Sequence, residues 1–519
     1  MGEERRVRHL QKIRPGMLKR ISLSFAGVVL FIRVVAPASG GEVQASSGAQ
    51  PGTLAERRVT NQFARIRHDP AALRSFLFAF PKGADLHTHL SGAIYAESYI
   101  QWAADLPLCI DLSALTFVDA AAGSTTCTDP VTQRPASEIP LDPVLYRRLV
   151  DAFSMRNWHV ARSVGHDQFF DTFVKFDAVL REGRDARANL VGRAVAEITH
   201  RAALENVRHL ELMWSFDAEI AVSPAGVSWD SDQDFQVLRE RLLATGRIKE
   251  RVGERRRWLD EVNTETRAAL GCGTQAVMPG CEVSVRFIAY ALRGLPPHQV
   301  FAQAMLAFEL AASDPRIVGV NLVMPEDWFF SMRDHDLHMR MFRFLRKSYP
   351  GVNVALHAGE LGLGLVPPET LGLHVRQAIE VGGAQRIGHG TDVMYDRDWA
   401  GLLRIMSRRK IAVEISLSSS DVILGTRGEK HPLRQYLRAG VPVVISTDDE
   451  GVARSDLTNE YQRAVEEHGV SYRELKEISR NSIEYSFLPA EEKRRIRTEL
   501  EAAFARFESR VVQSTGGLK

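Results

Sequence analysis

Short apolar runs alternate with longer amphipathic stretches along most of the chain. Eight of the short runs read as buried strands, at 84–90, 207–214, 283–290, 317–323, 352–357, 386–389, 411–415 and 441–447. Between most of them lie segments of helical length, such as 193–205, 300–312, 371–381 and 432–439. Repeated strand-then-helix alternation predicts a parallel sheet covered by helices. Eight such strands match a closed (β/α)8 barrel. Residues 54–80 show helical periodicity ahead of the first strand, and 105–190 form the main insertion, before the second. The predicted fold class is therefore α/β: a TIM barrel over 81–510, with an N-terminal linker and helical extension at 39–80 and an insertion after strand 1.

Composition adds the setting. The 519 residues are 45% hydrophobic and 25% charged, an ordinary globular balance that one large barrel can use. Lys and Arg number 66 against 64 Asp and Glu, so nothing points to a nucleic-acid partner. The run from Lys249 to Arg257 mixes both signs and reads as a solvated helix. Residues 1–38 read as an export signal. Arg5, Arg6, Arg8, Lys12, Arg14, Lys19 and Arg20 precede a short apolar stretch at 21–32, and Ala36-Pro37-Ala38 offers a cleavage site. This predicts a secreted or periplasmic chain with no stable membrane partner after cleavage. Arg33 breaks the apolar stretch, so an uncleaved anchor is the alternative, and Met17 is an alternative start. The four cysteines fall in two local pairs, which predicts disulfides Cys109–Cys127 and Cys272–Cys281, with four unpaired thiols as the alternative. Neither pair has C-x-x-C spacing, which disfavours a cysteine-based zinc site.

Four strand ends carry chemistry. In Asp85-Leu86-His87-Thr88-His89 the two histidines share one strand face and make half a metal site. In His357-Ala358-Gly359-Glu360 a histidine closes an apolar run with an acid three residues on. Gly388-His389-Gly390 places a histidine between glycines, read as allowing a substrate or metal close to the backbone. The last run ends in Asp448-Asp449, and buried acids need a partner or a metal. Each motif alone has a structural reading. Their order, at the ends of strands one, five, six and eight, argues for a single site.

On these motifs the chain resembles the adenosine deaminase family of the metal-dependent amidohydrolase superfamily, over roughly residues 80–490. Its layout is similar to the secreted adenosine deaminase-related growth factors. The resemblance implies one zinc ion bound by His87, His89, His357 and Asp448, and Glu360 as proton shuttle to a purine ring. It implies His389 as the residue assisting the attacking water, and Asp449 as a hydrogen-bond partner of the purine. The implied reaction takes a purine nucleoside, adenosine or 2′-deoxyadenosine, and water to inosine or 2′-deoxyinosine and ammonia. Three positions depart from the family pattern. Ser91 stands where an acid thought to contact the sugar is usual, Met324 where a glycine is usual, and Glu450 where a proline is usual. They are expected to affect substrate recognition and leave open another aminopurine or modified nucleoside. A non-catalytic extracellular purine-binding protein is the remaining alternative. His374 reads as a surface residue, His431-Pro432 as a helix start, and Trp328 as the tryptophan best placed to line a pocket. The oligomeric state is not legible.

Overall fold

The computed structural model of the chain describes residues 53–516 except 122–123, 125, 160–164 and 182–186. The predicted export signal lies outside the described residues. The strands are β1 (Gly83–His89), β2 (Leu108–Asp111), β3 (Thr116–Asp119), β4 (Gln133–Pro135), β5 (Val207–Trp214), β6 (Ser284–Leu292), β7 (Ile317–Val323), β8 (Asn353–Ala358), β9 (Arg386–His389), β10 (Ala412–Ile415) and β11 (Val443–Ile445). One sheet runs β1-β5-β6-β7-β8-β9-β10-β11, with parallel pairing throughout. His89 N donates to the Asp448 carbonyl at 2.9 Å and Asp448 N to the His87 carbonyl at 2.8 Å, which joins the first strand to the last. The fold is the (β/α)8 barrel, with helices around the sheet. Its strands are buried on both faces, which is why they read as continuous apolar runs.

The N-terminal extension is two helices, α1 (Leu54–Ile66) and α2 (Pro70–Ala79). The break falls at Asp69-Pro70. The Asp69 carboxylate accepts from Ala71 N and Ala72 N, and a proline is tolerated only in a first turn. Between β1 and β5 the insertion first folds a small antiparallel sheet, β3-β2-β4, joined by the Cys109–Cys127 disulfide. It then supplies the helix α3 (Gly165–Leu180). Two longer helices follow, α4 (Ala188–Leu204) and α5 (Arg247–Ala269), packed on each other. The Cys272–Cys281 disulfide ties the loop between α5 and β6.

Two helical readings change. α5 contains the mixed-charge run, but Arg251 and Arg255 are buried, and Arg251 Nε lies 3.2 Å from Asp217 Oδ2. Packing draws those two arginines inward. The stretch read at 371–381 is a short helix, His374–Gln377, running into a π-helical turn, Ala378–Gly382. Among the described residues, no helix is long and apolar enough to cross a membrane.

Candidate metal centre and active site

The four motifs meet at the C-terminal end of the barrel. Alternation along β1 turns His87 and His89 to the same side. Their Nε2 atoms each lie 3.3 Å from Asp448 Oδ1, and His89 Nε2 lies 3.1 Å from His357 Nε2. One ligand atom from each of His87, His89, His357 and Asp448 falls within 4.8 Å of the others, and all four residues are buried. Glu360 and His389 sit alongside, with His389 Nδ1 3.6 Å from Glu360 Oε1. His87 Nε2, both ring nitrogens of His389 and Glu360 Oε1 are buried without a hydrogen-bond partner. Leaving such atoms unsatisfied is costly, about 1–3 kcal/mol each. Three imidazole nitrogens and one carboxylate converging on one point fit a divalent cation of the zinc type. His389 and Asp448 both have left-handed backbones, φ 65° and 61°, conformations that turn side chains at the strand ends.

A second rank of buried polar groups orients this set. His87 Nδ1 is 2.7 Å from Glu414 Oε2, and the other Glu414 oxygen accepts from Arg386 Nε at 2.5 Å. Arg386 in turn pairs with Glu211 at 2.6 Å, and the Phe487 ring lies 3.8 Å from its guanidinium. Burial opposes a charge on His87, but Asp448 and Glu414 outweigh it and push its pKa up to about 10. Burial lowers the pKa of the other three, His89 to about 3, His389 to about 4 and His357 well below the usual imidazole value.

The ladder between β7 and β8 pairs only Gly319 with Asn353 and Val320 with Val354. Beyond it, side chains do the joining. Asn321 Oδ1 accepts from His357 N at 3.1 Å and faces His357 Nδ1 at 3.0 Å, which leaves Nε2 as the atom that could hold a metal. Arg293 donates to the carbonyls of Leu322 and His357 at 2.6 and 2.7 Å. Glu326 accepts from Gly359 N at 3.1 Å and Glu360 N at 2.7 Å, and so fixes the backbone that carries Glu360. Burial opposes the charge on Glu326, but His374, 2.5 Å away, and Arg293 hold it ionised. Burial first, then the Asp448 and Glu326 carboxylates, raise the Glu360 carboxyl well above its ordinary value.

Ser91, Met324 and Asp449 line the same cavity of about 260 Å³ as His89, His357, Glu360, His389 and Asp448. Met324 has φ 95°, the region a glycine would occupy freely. Its side chain lies over Gly294, where an added Cβ would stand 2.9 Å from Met324 Cε and 3.0 Å from Trp328 Cε3. Gly92 makes room for the Asp449 carboxylate, 1.6 Å from where its Cβ would be. Several readings need correction. Gly388 accommodates the His87 ring, since a Cβ there would lie 2.6 Å from His87 Cε1. Glu450 does not line the cavity; it accepts from Arg201 at 2.6 Å, and Arg201 also holds the Ala93 carbonyl. His374 is buried against Glu326, with its ring stacked 3.6 Å from that of His335. Glu326, His335 and His374 also cluster as metal ligands would, but Glu326 already serves two amides, a histidine and an arginine. Trp328 does line the cavity.

Sequence reasoning missed Glu414, Arg386, Asn321, Glu326 and Arg293. The signal available for the first three was a polar residue inside an apolar strand. It also missed the aromatic wall of the cavity, built by Phe169, Phe170, Phe173 and Phe176 of α3. Their spacing of one, three and three residues was visible.

The structure thus places three histidines and an aspartate at the C-terminal mouth of a (β/α)8 barrel. The adenosine deaminase family model matches residues 259–503. Adenosine deaminase of Escherichia coli (strain K12) is 35% identical over 161 residues, 31% of this chain and 45% of that protein. The chain thus spans about half the length of the curated relatives it matches. Among solved structures, a cog1816 amidohydrolase from Burkholderia ambifaria with bound Zn superposes with TM-score 0.53 at 18% identity, over 85% of this chain and 94% of that one. The N6-mAMP deaminase of Arabidopsis gives TM-score 0.52 at 19% identity, over 82% and 99%. These two likenesses concern the fold. Over residues 259–503 the chain is similar to the adenosine deaminase family.

Proposed function

We propose that the protein is a zinc-dependent deaminase that hydrolyses the 6-amino group of a purine nucleoside, adenosine or 2′-deoxyadenosine, releasing ammonia. The observation that carries this reading is the convergence of His87, His89, His357 and Asp448 beside the buried, unsatisfied Glu360 and His389. Zinc held by the first four would act as a Lewis acid and bring the ionisation of water to about pH 7. Glu360 donates a proton to purine N1 as water adds at C6, and His389 accepts the proton that water loses. That proton then leaves with the amine while the new C6 hydroxyl returns its proton to Glu360, so water and aminopurine become oxopurine and ammonia. Asp449 accepts from, or donates to, the purine across the cavity, and the Met324 N–H faces the ring edge. We also assign the chain to an exported location, which the two disulfides support.

Ser91 and the strained Met324 favour a second reading within the same chemistry, an altered sugar or a modified nucleoside. Both are tested by ammonia release from adenosine, 2′-deoxyadenosine, adenine and AMP by the zinc-loaded protein and its Ser91→Asp variant. The proposal expects turnover of at least one nucleoside. It expects Ser91→Asp to shift the adenosine to 2′-deoxyadenosine ratio by roughly five- to tenfold, the worth of about one hydrogen bond. Ammonia from none of them overturns the deaminase assignment. An unchanged ratio removes Ser91 from the sugar site.

A further inference from the structure

The helix α3 gives the cavity a wall unlike its floor. Phe169, Phe170, Phe173 and Phe176 face the space that His89, His357 and Glu360 also border. The rings brace one another: Phe169 with Phe170 at 5.3 Å, Phe173 with Phe176 at 5.7 Å, and Phe176 stacked on Tyr99 at 4.3 Å. Both ends of the brace are anchored. Tyr99 donates to the Ser91 carbonyl at 2.7 Å, and His166 Nε2 meets Asp327 Oδ1 at 3.0 Å, beside Glu326. Gly165 lets α3 approach the helix α6 (Leu417–Leu424); a Cβ there would lie 2.0 Å from the Val422 carbonyl. The wall is therefore held in place rather than draped over the opening.

Charge separates ligands further. Among the described residues lining the cavity none is Lys or Arg, while Asp177, Glu360, Asp448 and Asp449 all are acids. A phosphate group bound there would lose its hydration with no cation among the described lining residues to replace it, beside four carboxyl groups.

We propose that the substrate is an uncharged 6-aminopurine nucleoside bearing an apolar substituent at the 5′ position, seated on the α3 aromatic wall, and that nucleotides are rejected. This rests on the deaminase reading. With C6 at the metal ligands, N1 at Glu360 and the other ring edges at Asp449 and Met324, the N9 substituent is the part left to meet α3. Phe173 and Phe170 are the residues that would contact it.

The test compares kcat/KM of the zinc-loaded protein for adenosine, 5′-deoxyadenosine, 5′-deoxy-5′-(methylthio)adenosine and AMP. The methylthio compound should exceed adenosine by roughly tenfold, the worth of burying about two methylene-sized groups. AMP should fall below adenosine by at least roughly 100-fold, the consequence of an unpaired buried charge. Phe173→Arg should narrow the gap between AMP and the methylthio compound by about tenfold or more, by giving the phosphate a partner. The wild-type ratios stand even if that variant fails to fold. Turnover of adenosine with the methylthio compound slower, or with AMP equal to it, overturns this inference alone. Turnover of none of the four overturns the deaminase reading and this inference with it.

Discussion

The floor and the wall of the cavity are built on opposite plans. The floor stands on strand ends, and every charged group in it leans on another: His87 on Glu414, Glu414 on Arg386, Arg386 on Glu211. The wall is one helix of an insertion, packed by aromatic rings and pinned by few polar contacts. A buried ion network tolerates little change, because removing one partner strands the next. Exchanging a cavity-facing ring strands no charged partner. Under the proposed function, the contrast places the reaction at the floor and the choice of substrate at the wall.

The contrast is broken most directly at the floor. His357→Ala should take bound zinc from about one equivalent per chain to well below it and end turnover, measured by elemental analysis beside ammonia release. Glu360→Gln should keep that equivalent and lose roughly 10²–10⁴-fold in kcat, since an amide of the same shape cannot shuttle a proton. Retained rate in Glu360→Gln would mean that another group supplies the acid. One step further back, Glu414→Gln should weaken zinc affinity by about 10–100-fold, read by competition with a chelator. Unchanged affinity would show that the second rank does not orient His87.

The smallest effect belongs to the wall. Burial opposes the charge on His166, but Asp327 and Asp167 outweigh it and raise its pKa above the ordinary imidazole value. A raised folded-state pKa stabilises the contact fully below the unfolded value and loses that stabilisation as pH rises through the folded one. Hydrogen exchange of the α3 amides, corrected for intrinsic rates, should therefore quicken above neutral pH in the native protein and lose that pH dependence in His166→Gln. A pH-independent profile in the native protein would sever the wall from this latch.

The H-x-H of β1 and the His357, His389 and Asp448 strand ends were readable in the chain because period-two alternation and apolar runs are local properties. The break at Asp69-Pro70 was equally local, yet the helical periodicity of 54–80 runs straight through it. Glu326 and His374 were not legible. They lie 48 residues apart, and only the barrel brings them to 2.5 Å. Arg251 and Arg255 looked solvated because a charged run has no inward signature until a partner such as Asp217 arrives from another segment. The Phe169–Phe176 pattern announced an apolar face, but not what that face would meet.

By itself the sequence determined the strand-and-helix alternation, the eight barrel strands, the local cysteine pairs and which side chains stand at the strand ends. Each of these follows from backbone periodicity or short-range spacing. The tertiary structure alone decided how those ends converge within 4.8 Å, which charged side chains brace them, and that an insertion's helix lines the cavity with aromatic rings. Those are contacts between residues tens to hundreds of positions apart, set by barrel closure and packing, and no local pattern encodes them.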